Sequence, residues 1–447
     1  MSMTYIRITF SLLLAFGLVA GPGASVAADE APSPSMAPME GQTSAEEMTS
    51  FLDEARDSLL ENGKIEGLKA ISDPHGEFVR GELYVFAYDF NGTLLAHPYL
   101  PQLVGRNNLD LVDPNGVPMI QNLMAVAERG RGFIYNIYPN PAAGNVDELK
   151  LVGVQKVDDD LWIGSGIYIS AEPPRFSLQD RESLRNFVDE AVNYSIENGR
   201  PKALAAFNDP GGEFVEEGLY IFAYDFNGTA LALPFQPDIV GEDRIDLEDA
   251  NGVAFVRDFI SLARGGAGES YYIYPNPENE MAEELKLSRV AKVDGTWFLG
   301  AGIYSSRSKD DNLSEKKPAD RIELQGFVRE AASHALVAGR ERAAADFMDT
   351  EGPWVRGDVY IFAQDFNGTA LVLPYLPSEV GTYRLDIQDE EGAFINRDMR
   401  SIALAAEGGG FYEYRWKNPV TNETMDKVSY VMKVDETWWL GAGIYEL

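Results

Sequence analysis

The side chains able to do chemistry in this 447-residue chain are few in kind. There is no cysteine, which removes thiol nucleophiles, disulfides and thiolate zinc sites together. The three histidines, His75, His97 and His334, form neither an HxxxH nor an HExxH pattern, so no histidine metal centre is expected. The DPNG- and DFNG-type turns fail as calcium loops, because the first ligand position, five residues before the glycine, is Leu111, Leu247 or Ala87. No triad order or phosphate-binding loop stands out, and the sequence reads as a non-enzyme with no cofactor and no metal. One histidine remains to be explained. The stretch VFAYDFNGTLLAHP (85–98) returns as IFAYDFNGTALALP (221–234) and IFAQDFNGTALVLP (361–374), and only the first copy carries an imidazole, His97.

The elements that must hold it follow from residue period. In LYVFAYDF, Tyr84, Phe86, Tyr88 and Phe90 alternate onto one strand face, and Asn91-Gly92 is a two-residue hairpin signal. That turn sets Phe90 opposite Thr93, Tyr88 opposite Leu95 and Phe86 opposite His97, which delivers the imidazole to the aromatic face. Copies two and three put Leu233 and Leu373 there. Each copy opens with apolar residues at helical spacing, Met48, Phe51, Leu52 and Ala55 in the first. A capping pair such as Ser44 with Glu47 begins that helix, and Gly63, Gly199 or Gly339 ends it in a left-handed turn. Two strands, a helix such as FVRDFISLARGG and three more strands complete the order, closing on GSGIY, GAGIY and GAGIY. The expected class is α+β: three tandem domains, each a long N-terminal helix packed on an antiparallel β-sheet. The expected division is 44–175, 176–307 and 320–447, with a polar linker at 308–319.

Charge and leader bound the setting. A formal net charge of −34 argues against nucleic acid and anionic membrane as partners, since a phosphate-rich surface would repel the protein. Arg7, an apolar run of about a dozen residues and the small residues Ser25 to Ala28 read as a signal peptide over 1–28, too short for the roughly 20 residues of a spanning helix. The Pro/Ser/Met/Glu-rich tether over 29–43 is expected to be disordered. The mature protein is expected outside the cytoplasm, secreted, periplasmic or at the cell surface, with no membrane span after signal cleavage.

The [VI]FAYDFNGT…HP stretch, the VG loop, the D-x-x-G turn, YPNP and the terminal W-x-G-[SA]-G-IY together resemble the Cache domains, specifically the single-unit second class. Those are PAS-like extracytoplasmic sensor modules of chemoreceptors and sensor kinases. The resemblance covers nearly the whole mature chain, three times over. It implies a long helix behind a five- or six-stranded sheet, with a small-molecule pocket on the other face and, as in many relatives, a short organic acid as ligand. Such modules are typically followed by a membrane span and a cytoplasmic output domain, and this sequence shows neither. The expected role is therefore small-molecule binding or sensing without a transmembrane output of its own, with a separate membrane receptor or transporter as partner. A structural or adhesive surface array with no ligand is the alternative.

A carboxylate stripped of water needs charged or strong hydrogen-bond donors. The first copy offers His97, Arg106 in VGRNN and Lys150, with Tyr88, Tyr138 and Tyr168 as ring or hydroxyl contacts; these six are the candidate ligand-binding residues. The later copies keep the lysine, as Lys286 and Lys427, but have Leu for His97 and Glu242 or Thr382 for Arg106. Losing two charge-assisted bonds of about 1.5–3 kcal/mol each weakens an anion roughly 10²- to 10⁴-fold. The small organic anion is accordingly expected in the first copy.

Overall fold

Ser44 starts the first helix, α1 (Ala45–Asn62), with the reciprocal pair its sequence signals: its hydroxyl accepts the Glu47 N–H at 3.1 Å, and the Glu47 carboxylate accepts the Ser44 N–H at 2.8 Å. The structure, a computed structural model, describes residues 44–447 apart from 141–142, 144–145, 171–175, 217, 307–316, 390–391, 406–407 and 446–447. The expected signal peptide, the tether and most of the linker lie outside the described residues. Gly63 (φ 82°, ψ 156°) ends α1 with the positive φ the sequence calls for, though at a ψ outside the left-handed helical basin, and it also starts α2 (Lys64–Ile71).

The first copy continues through β1 (Val79–Arg80), β2 (Leu83–Tyr84), β3 (Phe86–Asp89), β4 (Leu94–Ala96), α3 (Met119–Glu128), β5 (Arg131–Asn140), β6 (Val146–Lys156) and β7 (Leu161–Ser170). Strands β3 to β7 form one antiparallel sheet in the order β4-β3-β7-β6-β5, and two further five-stranded sheets repeat that order in copies two and three. Alternation assigns the two faces. Leu149, Leu151, Leu161 and Ile163 pack with Met48, Phe51 and Leu52 of α1. Tyr84, Phe86, Tyr88, Val152 and Trp162 pack with Met119, Ile120 and Leu123 of α3. The class is α+β, as the sequence indicates.

The hairpin differs from the expected one in a single respect. Asp89 N–H donates to Thr93 O (3.0 Å) and Gly92 N–H to Asp89 O (3.2 Å), so the loop is three residues, Phe90 to Gly92, with Gly92 at φ 82°. The Asp89 carboxylate selects it by accepting the Asn91 and Thr93 N–H groups at 2.9 and 2.7 Å. Tyr88 therefore pairs with Leu94, not Leu95. A bulge follows, Ala87 pairs with Ala96, and His97 still arrives beside Phe86 with ring centroids 6.3 Å apart.

The copies are not separate beads. One apolar cluster runs from the α1 face of copy one through copy two. Their joint is reciprocal: Asn115 Nδ2 donates to Tyr271 OH (2.9 Å), and Asn251 Nδ2 donates to Tyr135 OH (2.9 Å). Tyr271 OH in turn donates to Asp113 Oδ2 at 2.7 Å, and burial pushes the Asp113 carboxyl up to about 7. Copy three meets copy one through another surface, its opening helix Arg321–Ala338. There Ser333 Oγ accepts the Val112 N–H (3.3 Å), while Glu330 pairs with Arg181 of copy two at 3.1 Å, both side chains buried.

Replacing Tyr271→Phe removes the hydroxyl that donates to the buried Asp113 Oδ2 and accepts from Asn115 Nδ2. It is expected to lower stability by about 1–3 kcal/mol, read as a lower urea midpoint, while the exposed control Tyr383→Phe leaves the midpoint unchanged.

Candidate functional site

Between the sheet and α3 of the first copy lies a cavity of about 30 Å³, room for about one water. Tyr88, His97, Tyr138 and Lys150 line it, four of the six residues singled out in the sequence.

Lys150 comes from the middle of β6, opposite Asn136 on β5 and Tyr168 on β7. Its stem crosses β7 at Gly166, where a β-carbon would lie 2.7 Å from Lys150 Cε; one at Gly164 would strike the Phe86 ring. The glycines of the closing GSGIY motif are thus clearance for the lysine and the phenylalanine. The ammonium donates to Tyr84 OH at 2.8 Å and stands 4.1, 4.8 and 5.6 Å from the ring centroids of Tyr84, Tyr168 and Tyr138. Its other N–H groups meet no hydrogen-bond acceptor among the described residues. Burial lowers the Lys150 pKa to about 7, against the upward pull of the Glu82 carboxylate.

His97 is 5% exposed. Its Nδ1 accepts the Tyr99 N–H at 3.1 Å, so Nε2 carries the proton of the neutral ring. Burial first, and then the Lys150 charge, hold its pKa down to about 3. The imidazole is therefore a neutral donor, not a second cation. Tyr88 OH accepts from Asn108 Nδ2 at 3.3 Å.

Two expected residues sit elsewhere. Tyr168 presents its ring to the lysine while its hydroxyl donates to Pro139 O (2.8 Å), and it does not line the cavity. Arg106 corrects the sequence reading: its guanidinium stands 3.9 Å from Asp435 of copy three, outside the cavity. In so acidic a chain a loop arginine has carboxylates within reach on the surface, and nothing obliges it to turn inward.

Sequence reasoning missed Asn136, which is 4% exposed, lines the cavity and has no partner for its Oδ1. The signal was present in the repeats, since the same strand position holds Tyr272 in copy two and Tyr414 in copy three, each opposite its lysine. Tyr272 stacks on Phe255 (centroids 4.5 Å) and meets Phe259 edge-on (5.1 Å), filling the space that Asn136, Met119 and Leu123 leave open in copy one. Lys286 there is doubly bonded, to Tyr220 OH (2.8 Å) and Tyr304 OH (3.2 Å). In copy three Lys427 donates to Tyr445 OH (3.3 Å), and Tyr414 stacks on Tyr412.

The single Cache domain 2 model matches residues 52–171 and 193–311, more than half of the chain, and a further Cache domain model matches 350–446. The sensor histidine kinase MctS of Rhizobium johnstonii is 35% identical over 89 residues, 20% of this chain and 19% of the kinase, so the chain spans about a fifth of that relative. Among solved structures, a methyl-accepting chemotaxis protein from Vibrio parahaemolyticus is 22% identical, with 29% of this chain and 92% of that one covered and a TM-score of 0.26. A Cache chemosensory domain described for carboxylic acid recognition is 20% identical, with 29% and 90% covered and a TM-score of 0.24.

Lys150 titrates lower in the folded protein than its ordinary 10.5, so between pH 7 and 10.5 the unfolded chain binds more protons and stability rises with pH. From pH 7 to pH 9 that rise is about 2 kcal/mol for one such lysine. Urea titrations of Lys150→Met are expected to lose this share of the wild-type rise and to keep the share due to Lys427, which burial lowers in the same way.

Proposed function

The chain belongs to the Cache domain family, and from that premise we propose that it is an extracytoplasmic binding or sensing protein whose first copy takes a small organic anion, a short carboxylic acid. The observation that carries the reading is the unspent hydrogen-bonding capacity around one cavity. Lys150 has spare N–H groups, His97 offers Nε2–H, and Asn136 holds an unpartnered amide oxygen, all on the walls of the same space. A carboxylate answers that set: two charge-assisted or polar donors for its oxygens, and an amide that can turn its donor to the anion or its acceptor to a neighbouring hydroxyl. The aromatic walls exclude water, which strengthens each of these bonds.

No step of covalent chemistry is required of these residues, and we read the protein as a binder, not an enzyme. The occupied copy would be presented to a separate membrane receptor or transporter. Among the described residues no helix is long and apolar enough to cross a membrane. Copy two, its equivalent space packed with Tyr272, Phe255 and Phe259, fits a scaffold role instead.

Titration calorimetry of the whole protein against acetate, propionate, pyruvate and lactate tests this. Wild type is expected to bind at least one of them, Lys150→Met to abolish the heat, and His97→Leu to weaken it about 10- to 150-fold, the worth of one charge-assisted bond. Because the bound anion favours the charged lysine, affinity should fall as pH rises above about 7, with proton uptake on binding at pH 8. Binding that survives Lys150→Met, or no binding by wild type, rejects the reading.

A further inference from the structure

The inner cavity is too small for a whole ligand. A carboxylate group consumes most of about 30 Å³, so the rest of any acid must extend past Tyr84, His97 and Tyr138. Those three side chains also line a second space of about 140 Å³ on their outer side. Its far wall does not belong to copy one: it is made by Val337 and Ala338, in the last turn of the helix that opens copy three.

That turn is held firmly in place. Leu336 packs against the aromatic cluster of copy one. One turn earlier Ser333 takes the Val112 N–H, and the buried Arg181–Glu330 pair anchors the middle of the helix. Arg106 and Asp435 add a contact at the rim. The arginine expected to bind the ligand thus takes part in docking the neighbouring copy instead.

We propose that the last turn of this helix, Val337 and Ala338, completes the binding site of the first copy and sets the length of ligand tail it accepts. The inference rests on the carboxylate reading given above. Val337 and Ala338 are aliphatic and with Leu100 give a short apolar tail a contact surface, each added methylene gaining contact until it reaches Val337, while Gln102 and the tyrosines leave the rest of the space polar. Beyond that length a tail must turn out past the exposed Gln102 or displace copy three, so the gain per methylene ends. Binding and docking of copy three are then linked, each favouring the other.

The experiment is calorimetry on the whole protein with straight-chain monocarboxylates from acetate to octanoate. Wild type is expected to gain affinity with each methylene up to one chain length and to gain none beyond it. Val337→Ala should move that limit to a longer acid, with about fourfold gain for each methylene newly accommodated, and Ala338→Leu should move it to a shorter one. If Val337→Ala does not fold, Ala338→Leu on the half-buried end of the turn still gives the shift. An unchanged length profile in a folded variant overturns the wall while leaving the carboxylate site intact. If wild type binds none of the series, the carboxylate reading itself fails, and this inference with it.

Discussion

The rest of the structure is arranged around a buried ammonium. Lys150, Lys286 and Lys427 are each at most 2% exposed, in the middle of a sheet, where an uncompensated charge is prohibitively costly. Each fold meets the cost alike. The stem lies over a glycine of the last strand, Gly166, Gly302 or Gly443, where a β-carbon would come within 2.7 Å of the lysine Cε. The head is turned to tyrosine hydroxyls and the faces of tyrosine rings. The sequence motif that closes each copy and the tyrosines of the second strand are therefore two halves of one requirement. Burial still lowers the pKa of all three, so the cradle is only partial compensation.

What separates the copies is how the space beside that ammonium is filled. In copy two a tyrosine takes the strand position of Asn136, and phenylalanines take the helix positions of Met119 and Leu123. The rings interlock, and the lysine finds a second hydroxyl. In copy one an amide, a methionine and a leucine are too small to close the gap, and His97 replaces a leucine at its edge. Four changes on a fixed scaffold convert a packed core into a cavity with unpaired donors. A leucine at the histidine position is the smaller part of the difference; the larger part is aromatic volume on β5 and α3.

Much of this was legible in the chain. The repeats, the helix starts and the two strand faces follow from local chemistry, since capping pairs and period-two aromatics act over a few residues. His97 beside Phe86 was legible for the same reason, and it survived an error in the turn: Asp89 selects a three-residue loop, but the bulge restores the register before position 97. Gly63 was legible as a helix stop with positive φ, though its ψ lies outside the left-handed helical basin. Arg106 was not legible, because what a loop arginine meets depends on where another domain lies. Asn136 was overlooked although the repeats expose it, because a lone polar residue in an aromatic strand gains meaning only against the Tyr272 and Tyr414 of its siblings.

The packing of the copies explains why the third one is available to cover the first. Copies one and two join through tyrosines at matching strand positions, Tyr135 and Tyr271, each accepting a hydrogen bond from an asparagine of the other copy. The strand registers put Glu413 at that place in copy three, one residue before the Tyr414 that faces Lys427. A glutamate there, set against the Asp113 or Asp249 beside such a joint, would bring two carboxylates into one dry space, which costs more than the lost hydroxyl contacts. Glu413 instead lies exposed and pairs with Arg321 of its own copy. A third equivalent joint is thereby disfavoured. Copy three docks by its opening helix, and the end of that helix lines the outer space on the far side of Tyr84, His97 and Tyr138.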